Sequence, residues 1–124
     1  MIIIDTSALI RFFTKDDLDK GEQVKALFED KEKITIPEVV FPELEYVLTS
    51  QYQAKREDLI KAFNYLAANK NVKLTKQARE AIEIFHSTKL DMADSLIAAH
   101  SMGKKLASFD KKMLNLKGVK SFWK

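Results

Sequence analysis

Residues 1–13 read MIIIDTSALIRFF, and two kinds of order meet inside that short stretch. Ile2, Ile3 and Ile4 form a β-branched run, which suits a buried strand over residues 2–5. SALIRFF (7–13) carries helix spacing without Gly or Pro. Asp5 therefore stands where a strand gives way to a helix. An aspartate at that point accepts a backbone N–H from the first helical turn, so capping is its simplest role. The carboxyl end of a strand is also where parallel sheets bind ligands. Both readings of Asp5 stand on these residues alone.

The same alternation continues outward. Polar residues 15–22 precede VKALFED (24–30), which reads as more helix. KITIP (33–37) is a second strand, stopped by Pro37. VVFPELEYVLTSQY (39–52) is helical, with Pro42 tolerated only in the first turn. REDLIKAFNYLAA (56–68) has clear helical spacing, and NVKL (71–74) is a third strand. Thr75 is placed to cap KQAREAIEIFH (76–86). LDMADSLIAAH (90–100) is a further helix, apolar around most of its circumference and therefore expected to be buried. KKLASF (104–109) reads as a strand, followed by a short turn or helix and a last strand in GVKSF (118–122). Strands alternating with helices predict an α/β fold: a three-layer α/β/α sandwich around a central, mainly parallel sheet with right-handed crossovers. The 124 residues show no repeat, low-complexity stretch or linker, so residues 1–124 are expected to form a single domain.

Composition narrows the function classes. There is no cysteine, which excludes a disulfide framework and a thiolate zinc site. His86 and His100 lie fourteen apart and supply no zinc spacing. MIIID is apolar for only four residues, too short for a signal peptide, and no later stretch is long enough to span a bilayer. A cytoplasmic protein is expected. The net charge of +3 hides an asymmetry. The last 24 residues hold seven lysines and one acid, giving +6 there and −3 over the first 100 residues. Lys104, Lys105, Lys111 and Lys112 are candidates for holding a polyanion backbone, although lysine-rich surfaces also serve solubility alone.

The acids carry more chemistry. In the helix 90–100, Asp91 and Asp94 share one face, continued by Ala98 and Ser101. That face is narrow, acidic and lined by small residues. Asp91 as N-cap and Asp94 three residues on also match an aspartate form of the capping box. Glu43 falls within an apolar stripe of Val39, Val40, Leu44, Tyr46 and Val47, whereas Glu45 is expected to face solvent. Asp110 directly follows KKLASF and suits either a turn or a site. The topology puts Asp5, Glu43, Asp94 and Asp110 on the carboxyl edge of one parallel sheet. Clustered carboxylates repel and raise one another's pKa, and divalent cations resolve that repulsion. Oxygen-only ligation points to Mg²⁺ or Mn²⁺, one or two ions, and such clusters serve phosphodiester hydrolysis.

These residues resemble the PIN-domain nucleases, especially the VapC toxins of VapBC toxin–antitoxin modules. MIIIDTSALI (1–10) is similar to that family's opening of hydrophobic strand, Asp and Thr. IPEVVFPELEYVL (36–48) carries Glu43 at the family's glutamate. LDMADSLIAAH resembles its Asp-x-x-Asp-x-x-Ile-Ala-Ala segment, and LASFDKKM (106–113) its Thr-x-Asp-x-x-Phe ending. The departures are Ser7 for asparagine, Ser108 for threonine and Met113 for phenylalanine. The resemblance implies an endoribonuclease leaving 5′-phosphate and 3′-hydroxyl ends. It implies metal-binding, catalytic roles for Asp5, Glu43, Asp94 and Asp110, with Thr6 and Asp91 in support. It also implies a homodimer and a VapB-like antitoxin that blocks the acidic site. Tyr52, Phe63, Tyr65 and Trp123 are candidates for interface patches, with core packing the default for most of them.

Other readings compete. A housekeeping PIN nuclease for RNA maturation has the same residues, as does a catalytically silent RNA- or protein-binding module. A phospho-acceptor receiver domain needs an aspartate at the end of a central strand near mid-chain. Residues 50–68 instead read as helix, which argues against it.

Overall fold

The structure is a computed structural model and describes residues 1–123. Lys124, one of the seven lysines of the basic end, lies outside the described residues. The elements alternate as β1 (Ile2–Ile3), α1 (Thr6–Thr14), α2 (Leu18–Glu29), β2 (Ile34–Thr35), α3 (Val40–Tyr52), α4 (Arg56–Ala68) and β3 (Val72–Lys73). They continue as α5 (Lys76–Ser87), α6 (Met92–Ser101), β4 (Lys105–Leu106), α7 (Lys111–Leu114) and β5 (Lys120–Ser121). The fold is α/β with parallel strands. β1, β2 and β3 pair in that order, with Ile2 opposite Ile34 and Ile34 opposite Val72. β4 and β5 pair in parallel, with Lys105 opposite Lys120. The contacts divide into two compact units, one over Met1–Thr75 and one from Lys76 onward.

In the first unit the core is built from Ile4, Leu9, Phe28, Ile34, Phe41, Leu44, Leu59, Phe63, Leu66 and Val72, all nearly inaccessible to water. Phe41 and Phe63 meet with ring centroids 5.7 Å apart and tie α3 to α4. Each such side chain contributes roughly 1.5–3 kcal/mol on burial. The expected buried strand at 2–5 is only partly so: Ile4 is buried, but Ile3 is 63 % exposed. β1 is the outer strand of the three-stranded group, where one side chain of each pleated pair can face water. α2 begins earlier than the hydrophobic pattern suggested, because Asp17 caps it by accepting the Lys20 N–H at 3.1 Å. Pro42 does fall in the first turn of α3, where its missing N–H has no helical partner to lose.

In the second unit α5 lays Ala78, Ala81, Ile82 and Phe85 into a buried face, and α6 buries Met92, Ser95, Leu96, Ala98, Ala99 and Ser101. α5 and α6 pack on each other. Leu90, Ala98 and Met113 form a small cluster closed by Ile84, Leu106, Leu116 and Val119. Gly103, at φ +77°, takes the left-handed turn that carries the chain from α6 to β4.

Candidate active site

Each acid singled out in the sequence stands at the start of a helix, and Asp5, Asp91 and Asp110 are held there by local hydrogen bonds. Asp5 follows β1 and caps α1: its Oδ1 accepts the Ala8 N–H at 3.3 Å and the Ser7 hydroxyl at 2.8 Å. Those donors, Ser7 foremost, hold the Asp5 carboxyl below its ordinary range against a smaller opposing effect of burial. The capping role read from MIIIDTSALI is thus real.

Glu43 lies in the first turn of α3, after β2. β1 and β2 are adjacent and parallel, so Asp5 and Glu43 both follow carboxyl ends of neighbouring strands. Thr6 Oγ1 donates to Glu43 Oε1 at 2.8 Å, which links α1 to α3 and fixes the carboxylate. The apolar stripe proposed around Glu43 is not what surrounds it. Val39 is 63 % and Tyr46 70 % exposed, Glu43 itself is exposed, and Glu45 is the more covered of the two glutamates. Val40, Phe41, Leu44 and Leu48 are the buried residues of α3, a different face from the stripe assumed. Glu43 is therefore presented to solvent beside Thr6.

A cleft of about 460 Å³ opens there, lined by Thr6, Glu43, Arg11, Tyr46, Tyr52 and their neighbours. Two of its lining residues, Arg11 and Tyr52, belong to a network that sequence reading missed. Arg11 and Tyr52 both donate to Asp16 Oδ2, at 3.0 and 2.6 Å. The Tyr52 hydroxyl is the larger cause of a lowered Asp16 pKa. No local pattern signals this triad, because its members come from the end of α1, the loop after it and the end of α3. Ser7 was also missed as a functional side chain. The signal available was its position two residues after a capping aspartate.

In the second unit Asp91 caps α6 by accepting the Asp94 N–H at 2.8 Å, as the capping box required. The return bond is absent: among the described residues the half-buried Asp94 carboxylate accepts no hydrogen bond. Burial raises its pKa, and the charges of Asp91 and Asp110 raise it further. Asp110 caps α7 through the Met113 N–H at 3.1 Å and receives no more than local support, its own N–H going to Ser108 Oγ. The structure thus brings Asp91, Asp94 and Asp110 within electrostatic reach of one another. On α6 Ala98 and Ser101 are buried, but Ala93 and Ile97 lie exposed, so the helix is covered on one side and not around most of its circumference as its apolar composition suggested.

Within each unit, among the described residues, no three or more His, Cys, Asp or Glu side chains are grouped tightly enough to hold a metal ion. The carboxylates of Asp5, Asp91 and Asp110 are directed to helix N–H groups instead. The donor chemistry nonetheless suits a hard cation, since every candidate ligand is a carboxylate oxygen. Lys104, Lys105, Lys111 and Lys112 are all exposed. Of the proposed interface aromatics, Phe63 is core, Tyr52 is half-buried, and Tyr65 and Trp123 are 40 % and 47 % exposed. No helix among the described residues is long and apolar enough to cross a membrane.

Comparison with known proteins identifies what the chain is similar to. Residues 2–119 match the PIN domain. The chain is 30 % identical over 125 residues to a VapC ribonuclease of Aquifex aeolicus (strain VF5), covering 94 % of this chain and 92 % of that protein. No solved structure matches it significantly. A family match running from β1 to the loop before β5, with strands, helices and acids in the order described, leaves one conclusion: this chain belongs to the PIN-domain family.

Proposed function

We propose that this protein is a metal-dependent endoribonuclease and the toxin of a type II toxin–antitoxin pair. The observation that carries the reading is Asp94. A half-buried carboxylate without a hydrogen-bond donor, its pKa raised by burial and two like charges, is costly unless a cation neutralises it. Membership of the PIN family and likeness to a VapC ribonuclease support the same reading.

Asp5, Glu43, Asp94 and Asp110 would hold one or two Mg²⁺ or Mn²⁺ ions. Such an ion supplies charge neutralisation at phosphate and an activated water for hydrolysis. The chain's own residues prepare for this. Ser7 and the Ala8 N–H keep Asp5 ionised. Thr6 fixes the Glu43 carboxylate. Asp91 anchors the first turn of α6, whose N-terminus favours negative charge at Asp94. In this reading residues 1–124 act as one domain, in the cytoplasm, as a homodimer partnered by a VapB-like antitoxin. Lys104, Lys105, Lys111 and Lys112 hold the RNA backbone, which makes binding salt-sensitive.

The test is cleavage of a panel of structured RNAs with Mg²⁺, Mn²⁺ or EDTA, run beside Asp94→Asn. Metal-dependent cutting that the folded variant loses is the expected result. Cutting that survives the substitution would remove Asp94 from the site.

A further inference from the structure

We propose that Phe109 and Trp123 form a preassembled stacking platform for an unpaired base of single-stranded RNA, flanked by lysines that hold its phosphates. This rests on the ribonuclease reading above and adds the form of substrate that reading leaves open. Phe109 is 83 %, Phe122 57 % and Trp123 47 % exposed, a concentration of aromatic surface that folding has left uncovered. The Phe109 and Trp123 rings lie parallel, with centroids 4.7 Å apart and planes 6° from one another. Phe122 stands edge-on to Trp123 at 5.4 Å.

Backbone pairing holds this arrangement in place. The Phe122 N–H donates to the Leu106 carbonyl at 2.8 Å, extending the β4–β5 ladder. The Ser121 hydroxyl donates to the Trp123 carbonyl. Phe109 is fixed from the other side, since the next residue, Asp110, caps α7. The rings are therefore positioned before any ligand arrives, which lowers the ordering cost of binding.

Charge identifies the occupant. Lys105 and Lys120 are cross-strand partners in β4 and β5, and Lys111 and Lys112 follow Asp110 directly. All four are exposed, and among the described residues none forms an ion pair. A second copy seated on this patch by a two-fold axis would bring lysines against lysines. A polyanion with stackable bases fits both features, because every base offers a π-face and every linkage a negative charge. Asp110, which acts electrostatically on Asp94, is adjacent to Phe109, so a base stacked there lies next to the acids of this unit.

Trp123 is the single tryptophan of the chain and reports directly on the platform. The experiment titrates the full chain with a short oligoadenylate, and with a ribose-phosphate oligomer lacking bases, in EDTA. Saturable quenching of Trp123 by the oligoadenylate is expected, weakening as salt rises. Phe109→Ala and the base-free oligomer should each lower affinity roughly 10-fold, and Phe109→Tyr should restore it. Phe109 is so exposed that its truncation leaves packing intact. Equal binding by the base-free oligomer, unchanged affinity in Phe109→Ala, or quenching that tracks protein concentration without RNA would each overturn the platform. EDTA separates the two readings. Quenching in a protein that cuts no RNA with Mn²⁺ keeps the platform and sinks the nuclease, whereas cutting without base-dependent quenching does the reverse.

Discussion

Asp5 and Asp94 stand at helix starts in two regions of the chain, one as the cap and one within the first turn, and have opposite electrostatics. Each sits at the start of a helix in a parallel α/β arrangement. Asp5 receives a hydroxyl and an N–H and is held ionised. Asp94 is half-buried, accepts no hydrogen bond among the described residues, and feels the charges of two other carboxylates. Its own N–H is what caps the helix, through Asp91. A helix start tolerates an anion in both cases, yet only the first is satisfied by the protein itself. The difference teaches which acid the fold satisfies itself and which, in the function proposed above, is left for a cation.

The largest expected effect breaks the comparison at Asp94. Asp94→Asn removes a charge that, among the described residues, no side chain pairs with. RNA cleavage should fall by at least about 100-fold, since changes merely to the partners of metal ligands already cost 10–100-fold. Mn²⁺ should raise the melting temperature of the unsubstituted protein and leave that of the variant unmoved. A variant still stabilised by Mn²⁺ would show that the ion binds without Asp94.

The next effects sharpen the Asp5 side. Ser7→Ala deletes the main cause of the low Asp5 pKa while leaving the Ala8 N–H bond. Thr6→Val frees the Glu43 carboxylate from its 2.8 Å hydrogen bond. Each should reduce cleavage about 10-fold, the scale of losing one orienting hydrogen bond behind a ligand, with little change in melting temperature. Metal titration of each variant checks the cause: a weaker apparent affinity for Mn²⁺ is expected in both. Activity equal to the unsubstituted protein in Thr6→Val would mean that Glu43 needs no orientation.

Asp91→Ala tests the cap. Loss of an N-cap aspartate costs about 1 kcal/mol, readable by chemical denaturation. The same change removes one of the two like charges acting on Asp94, so the Asp94 pKa should fall. Stability and titration then move in different directions, which a merely structural aspartate does not produce.

How far the chain was legible follows from what each signal depends on. α3, α4 and α6 were readable because apolar periodicity over a dozen or so residues outweighs end effects. The start of α2 was hidden, because Leu18 is its one apolar residue before Val24 and is itself exposed, so that only the cap at Asp17 marks it. The caps at Asp5 and Asp91 were visible as residue types at element boundaries, whereas Asp110 was read as a turn or site acid and its cap of α7 was not foreseen. The surroundings of Glu43 were misread: Val39 and Tyr46 have the right spacing for a buried stripe, but spacing fixes a face and does not say whether anything covers it. The Arg11–Asp16–Tyr52 network and the Phe109–Trp123 stack join residues from separate elements, and no pattern along the chain encodes such meetings.

The smallest effect is also the cleanest form of the comparison, since it needs neither metal nor RNA. Asp94 has a folded pKa above the usual aspartate value near 3.8, so its ionised form costs stability at neutral pH. That cost disappears as pH falls from the raised folded value toward 3.8. Asp5 has a folded pKa below 3.8, so its ionised form contributes stability that is complete above 3.8 and lost only as pH falls through the depressed value. In metal-free protein, Asp94→Asn should therefore melt slightly higher at pH 7, and the gain should shrink as pH falls through the raised value toward 3.8. Asp5→Asn should melt slightly lower, by a degree or so, because asparagine caps a helix almost as well as aspartate and solvent screens the exposed charge. Its deficit should persist to about pH 3.8 and close only below. Two curves that bend on opposite sides of the same pH would separate a carboxylate the fold satisfies from one it leaves waiting. Curves that bend together would mean that the two helix starts are electrostatically alike.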